Sequence, residues 1–188
     1  MKKNIFFLRL IIALTLLFSS IKANSYDSST LNIFAKIAPR FIMMSSQKKK
    51  LQEYKTSEIT ICLLHERSDI SSVDAFIEKI NKNYPKGIAN NSLELLPITS
   101  SELTQCKNAF MLFISDVQNR DINSAIEFSR KNEILSMSYN PKFLENGVST
   151  SIFIGRKVVP YINVEALQKS HIELNNILLR VSKIYKKN

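Results

Sequence analysis

The sequence predicts an α/β domain of three layers: a mainly parallel sheet with helices on both faces, and an antiparallel hairpin added near the C-terminus. Two observations predict it. Short apolar runs, "ITICLL", "LELLPI", "AFMLFI" and "ILSMS", alternate with helix-patterned stretches over residues 59–138, and such alternation is the pattern of parallel strands joined by crossovers. That rhythm then breaks at residues 151–154 and 157–162, two β-patterned runs separated only by Gly155-Arg156. A two-residue connection can join only antiparallel strands.

The chain opens with a segment that is not fold. Lys2, Lys3 and Arg9 precede the apolar run "LIIALTLLF" at residues 10–18, and a polar stretch with the small residue Ala23 follows. This is the layout of a secretory signal peptide, assigned to residues 1–23. The run is short for a bilayer span, which needs about 20 apolar residues; an uncleaved N-terminal anchor is the other reading. No cysteine follows the run, so a bacterial lipid anchor is excluded at that point. Residues 24–188 then form a single domain of 165 residues, long enough for one good core. Losing the segment's four cations lowers the net charge from +10 to +6. Lys48-Lys49-Lys50 and the tail lysines read as solvated faces. A nucleic-acid partner would require a basic stripe on a recognisable module, and the sequence has none.

Leu31, Phe34, Ile37 and Ala38 recur at helical spacing, and Pro39 should end or kink that helix near Ala38. The lysine-rich residues 45–57 read as a loop or an exposed helix. "ITICLL" is a buried strand. Ser71 and Asp74 stand at capping-box spacing before a stripe of Val73, Phe76, Ile77, Ile80 and Tyr84, which Pro85 stops. "LELLPI" is placed near a sheet edge because Pro97 cannot donate to a ladder. "AFMLFI" is the most apolar run of the domain and takes a central position. A helix over residues 121–131 and the strand "ILSMS" follow. Gly155 at the first position of the hairpin loop suits a type II′ turn. Asn163 is the N-cap of "VEALQKS". A last helix is expected over residues 173–185, with Leu174, Ile177, Leu178, Val181 and Tyr185 as its stripe.

Two cysteines remain, Cys62 and Cys106. They are either two buried thiols or one disulfide, and export of a domain of this size favours the bridge. It would close a loop of about 44 residues, a contribution of about 4 kcal/mol in the chain-entropy model. No Cys-x-x-Cys pair marks a redox enzyme. His65 and His171 are far apart and lack companion ligands, so no metal site is assigned. Gly-rich phosphate loops and a Gly-x-Ser-x-Gly elbow are absent from the sequence, and no catalytic residue or cofactor is assigned.

Five blocks carry a resemblance. They are "LNIFAKI" at residues 31–37, "ITICLL" with Cys62, "CKNAFMLFIS" with Cys106, "NPKFLENGVSTSIFIGRKVVPYINVEAL" with Phe143, Gly147, Val158, Ile162 and Asn163, and "LNNILLRVSKI" at residues 174–184. In this order and spacing the chain resembles the YfiR family of periplasmic regulatory proteins over nearly the whole domain. It departs from that pattern at four places. Asn146-Gly147 stands for a common Gly-Gly. Pro160-Tyr161 stands where an aromatic and then Glu precede Ile-Asn. Pro39-Arg40 lies near the place of a Trp-Pro, and Asn175-Asn176 replaces a Ser-Ser.

The resemblance implies a non-enzyme. It implies a repressor that binds the periplasmic sensing part of an inner-membrane diguanylate cyclase, whose release raises cyclic-di-GMP and favours biofilm formation. Homodimers are also known among such proteins. The expected partner-binding residues are Ser149 and Tyr161 from the hairpin and Leu167 and Tyr185 from the helices after it, sharing one face if those helices pack beside the hairpin. Tyr is favoured at interface hot spots. The alternative function is a periplasmic small-ligand sensor or transport-accessory protein, using the crevice at the carboxyl ends of the parallel strands.

Overall fold

A computed structural model describes residues 27–186. Residues 1–23, read above as a signal peptide, lie outside them. The elements are α1 (Ser28–Met43), α2 (Gln47–Glu53), β1 (Glu58–Leu64), α3 (Ile70–Asn83), β2 (Ser92–Ile98), β3 (Met111–Ile114), α4 (Asn119–Lys131), β4 (Leu135–Ser138), β5 (Thr150–Ile154), β6 (Val158–Ile162), α5 (Val164–Lys169), α6 (Asn176–Arg180) and β7 (Lys183–Ile184). Turns of 3-10 helix fall at Arg67–Asp69, Ser100–Cys106 and Pro141–Leu144.

The strands form one sheet in the order β2-β1-β3-β4-β5-β6-β7. Strands β1 to β5 run parallel, β6 is antiparallel to β5, and β7 is parallel to β6. The predicted class is therefore observed. Alternation along the strands divides the core in two. Ile59, Ile61 and Leu63 point with Met111, Phe113, Leu135 and Met137 into a layer closed by α1 and α3. Cys62, Leu64, Leu112 and Ile114 point the other way, beneath α4 and the Ser100–Cys106 turn. Cys62 and Cys106 are bonded as a disulfide in that second layer, and both are fully buried. β2 is an edge strand, as Pro97 requires.

Several local expectations are corrected. α1 runs through Pro39 to Met43. One helical hydrogen bond is lost, but Ala38, Phe41 and Ile42 are buried against the sheet, and that burial outweighs the loss. Ser71 lies inside α3 rather than before it; Asp69 is the N-cap and makes no side-chain cap bond. The capping box that does form is Thr99–Glu102, with the Thr99 N–H 2.8 Å from Glu102 Oε2. The lysine-rich stretch is not an open loop: α2 buries Gln47 and Lys50 against the C-terminal end of α4.

The hairpin loop holds three residues, because Ile154 pairs with Val158. Gly155 does not have positive φ, so no type II′ turn forms. Its lack of a side chain serves another purpose: a Cβ there would lie 2.8 Å from Phe153 Cε1. The chain after residue 173 also departs from the predicted long helix. α6 has five residues, with only Leu178 of its stripe in the core, and the chain then adds β7 to the β6 edge. Tyr185 N–H donates to Ile162 O at 2.7 Å. Helical spacing cannot foresee this, since the competing partner is a strand edge that is distant in sequence.

Candidate functional site

The C-terminal edge of the sheet carries the most distinctive surface. Register pairs Ser151 with Tyr161, Phe153 with Val159, and Tyr161 with Lys183. Ile152 and Ile162 turn into the core beneath α1 and α3, so Phe153, Tyr161 and Lys183 face the opposite side. There the aromatic rings form a stripe. Phe153 and Tyr161 meet edge to face with centroids 6.1 Å apart, and Tyr161 and Tyr185 do so at 6.0 Å. Lys183 Nζ lies 3.8 Å from the Phe153 ring centroid and 5.0 Å from that of Tyr161. Its charge sits over two ring faces, an arrangement favoured by their quadrupoles. Partial burial raises the Tyr185 phenol pKa, and the Glu145 carboxylate adds to that, so the phenol stays neutral.

This edge is also where apolar surface meets solvent. Of the nine large apolar side chains exposed among the described residues, seven fall from Phe153 onward. They include Ile154, Val158 and Ile184 from the strands and Ile177 and Val181 from α6. Register puts Ile154, Val158 and Ile184 on the face of Ile152 and Ile162, opposite the aromatic stripe, so this edge exposes apolar side chains on both of its faces.

Two of the four residues predicted to bind a partner meet here, Tyr161 and Tyr185. The other two are interior, and their expected exposure is corrected. Ser149 is fully buried. Its hydroxyl accepts from Ser136 Oγ at 3.0 Å and its N–H donates to the same atom at 2.9 Å. The reason lies in the sheet: β4 and β5 share a single register pair, Met137 with Thr150. Hydroxyls complete the join, from Thr150 to Ser136 O at 2.9 Å and from Ser151 to Ser138 O at 2.7 Å. Leu167 is 4% exposed and packs in the core with Ile172 and Leu178. Phe153 and Lys183 were missed as members of the site. A signal for the hairpin was present, since Phe153-Ile154 and Val158-Val159 are adjacent apolar pairs that cannot both face one core.

Asn163 holds the base of this edge. Its Oδ1 accepts from Ala166 N at 3.0 Å, and its Nδ2 donates to Leu144 O at 2.9 Å. Next to it a cleft of about 140 Å³ opens between the end of α4, the 144–147 loop and α5, with Arg130, Gly147, Lys169 and Tyr185 on its walls. The crevice at the carboxyl ends of β1 and β3 is nearly filled: Leu31 of α1, Phe76, Phe113 and Tyr139 leave about 10 Å³. His65 is buried, with Nδ1 2.8 Å from Glu66 O, and the Glu66 carboxylate accepts from Gln118 N at the start of α4. Among the described residues, no group of His, Cys, Asp and Glu is placed to hold a metal ion.

The first five strands, in the order 2-1-3-4-5 with helices on both faces, define a doubly wound α/β domain, here extended by a hairpin and a short edge strand that present aromatic surface. The model of the YfiR/HmsC-like family matches residues 40–183, and the chain belongs to that family. Two solved structures share the fold. One is the "ABC domain in complex with L-Trp from Streptococcus pneumonia" (TM-score 0.53, 11% identity, 68% of this chain and 55% of that one). The other is a conserved domain protein from Vibrio cholerae (TM-score 0.51, 13% identity, 76% of this chain and 60% of that one). The chain thus spans little more than half of either structure, and such identities establish fold alone. No curated protein matches the chain.

Proposed function

We propose that this protein is a periplasmic regulator that binds the periplasmic sensing region of an inner-membrane diguanylate cyclase and holds the enzyme in its inactive state. It acts by binding, not by catalysis. Residues 1–23 direct its export, and residues 24–188 are the working domain. Release of the grip raises cytoplasmic cyclic-di-GMP and favours biofilm formation. Family membership supports the class of function. The observation that carries the surface is the Phe153–Tyr161–Tyr185 stripe at an edge rich in exposed apolar side chains. A binder that prefers one state of the cyclase shifts it toward that state by its difference in affinity.

The test is capture of the cyclase's periplasmic region by the purified regulator. Tyr161→Ala and Tyr185→Ala should each weaken capture about tenfold or more, as expected for aromatic residues at an interface centre. Ser149→Ala, which alters a buried residue, should leave capture unchanged. Unchanged affinity in both tyrosine variants would remove the stripe as the binding surface. Deleting the gene should raise cyclic-di-GMP; no rise under any growth condition would count against repression.

The cleft beside Tyr185 favours a second reading, a small-ligand sensor or transport accessory. A thermal-shift screen with periplasmic metabolites separates it, since a ligand of the folded state raises the melting temperature by mass action.

A further inference from the structure

Three lysines converge where α1 packs on α3. Lys36 comes from α1, and Lys79 and Lys82 come from α3. They surround an open hollow of about 660 Å³, with the amides of Asn32 and Asn83 on its wall. The lysines are held together by the helix pair: Arg40 Nε donates to Tyr84 Oη at 3.1 Å, and the Tyr84 hydroxyl donates to Lys36 O. Asp27 is the acidic residue on the lining. Its carboxylate accepts from the Ser29 hydroxyl and from Thr30 N at 2.8 Å, capping α1, and these bonds hold its pKa down to about 2.

Ion pairs among the described residues are Arg120–Asp121 and Lys169–Glu165. None of the three lysines has a carboxylate partner among those residues. Like charges gathered around one hollow repel, and a shared anion removes that cost. The Asn83 Nδ2 is already engaged, donating to Lys79 O at 2.8 Å and to Asn32 Oδ1 at 3.4 Å, so the three compact ammonium groups carry the attraction, and they suit an anion with several oxygens, a phosphate above all.

We propose that this hollow takes the phosphate of an anionic phospholipid headgroup and seats the α1–α3 side of the domain on the membrane. The inference rests on the proposed function: a regulator gripping a membrane enzyme's periplasmic region works beside phospholipid headgroups. A wide, open mouth suits a surface-borne phosphate better than a captive soluble one. Phe153 and Tyr161 point away from the core layer that α1 and α3 close, so headgroup and partner can be held together.

The experiment is co-sedimentation of the exported protein with vesicles of phosphatidylglycerol and, separately, of phosphatidylcholine. Binding to the anionic vesicles alone is expected, weakening with salt. Each Lys→Ser change at 36, 79 or 82 should weaken it about fivefold, and the triple variant on the order of a hundredfold. Lys→Arg at the same places should retain it, which guards against an effect of misfolding. Equal binding to both vesicle types, or undiminished binding by the folded triple variant, would overturn the proposal. Release from vesicles by millimolar inorganic phosphate would assign the hollow to a soluble anion and overturn the lipid reading. Capture of the soluble cyclase region should be unchanged in the triple variant, so failure here and failure of the repression reading are told apart.

Discussion

Tyr161 and Tyr185 meet edge to face across the β6–β7 pair, with ring centroids 6.0 Å apart and planes at 66°. This contact fastens a strand of only two residues to the sheet. Tyr185→Ala should therefore cost about 1 kcal/mol, the usual scale for an aromatic pair, and lower the melting temperature by about 2 to 4 °C for a domain of this size. Hydrogen exchange should quicken at the amide of residue 185, which donates to Ile162 O. Faster exchange spread over β1 and β3 instead would show that the contact supports the whole fold rather than its edge.

The Cys62–Cys106 bridge ties β1 to the Ser100–Cys106 turn across a sequence separation of 44. Replacing both cysteines with serine should cost about 2–5 kcal/mol, read as a lower midpoint in urea. Both cysteines are fully buried, so a reductant should act on the native protein far more slowly than on the unfolded chain. Prompt reduction without unfolding would contradict that protection.

Asn163 performs two tasks that one pair of substitutions separates. Asn163→Ala removes the cap to Ala166 N and the donor to Leu144 O, for a loss of about 2 kcal/mol. Asn163→Asp keeps the acceptor for Ala166 N. It loses the donor, however, and brings a buried charge against the Leu144 carbonyl. If the tie to Leu144 matters, Asp should be no better than Ala in a denaturation series. Full recovery in the Asp variant would reduce the residue to a helix cap.

Much of this architecture was legible because it is local. Alternating apolar strands and striped helices are written in short windows, so β1 to β6, α3 and α4 stand where the pattern puts them, within a few residues. Asn163 was readable as a cap for the same reason. The larger misreadings share one cause: a distant partner outweighed a local preference. Pro39 stays inside α1 because the sheet holds Phe41 and Ile42. The stripe after residue 173 yields to the β6 edge. Ser149 resembled a surface serine, yet it meets Ser136 where β4 and β5 barely pair. Tyr161 and Tyr185 were legible as residue types suited to binding, but their contact required the strand that sequence pattern did not show.

Lys50 offers a test of charge in the interior. Its Nζ donates to Glu133 O at 2.7 Å, and Gln47 Nε2 donates to the same oxygen at 2.8 Å, closing the chain just past the end of α4. Burial lowers the Lys50 pKa, against the opposing pull of the Glu133 and Glu53 carboxylates. The folded value thus lies below the unfolded one, about 10.4. Between the two, the unfolded chain holds a proton that the folded chain lacks, so this group makes stability rise with pH. Its contribution is complete above the unfolded value and is lost as pH falls through the folded one. Lys50→Met removes this linkage. The stability of the wild type relative to the variant, measured by urea unfolding, should therefore increase as pH rises across the alkaline range toward the unfolded value. A difference that stays constant across that range would mean that Lys50 titrates alike in both states and that its ammonium is not held in the interior.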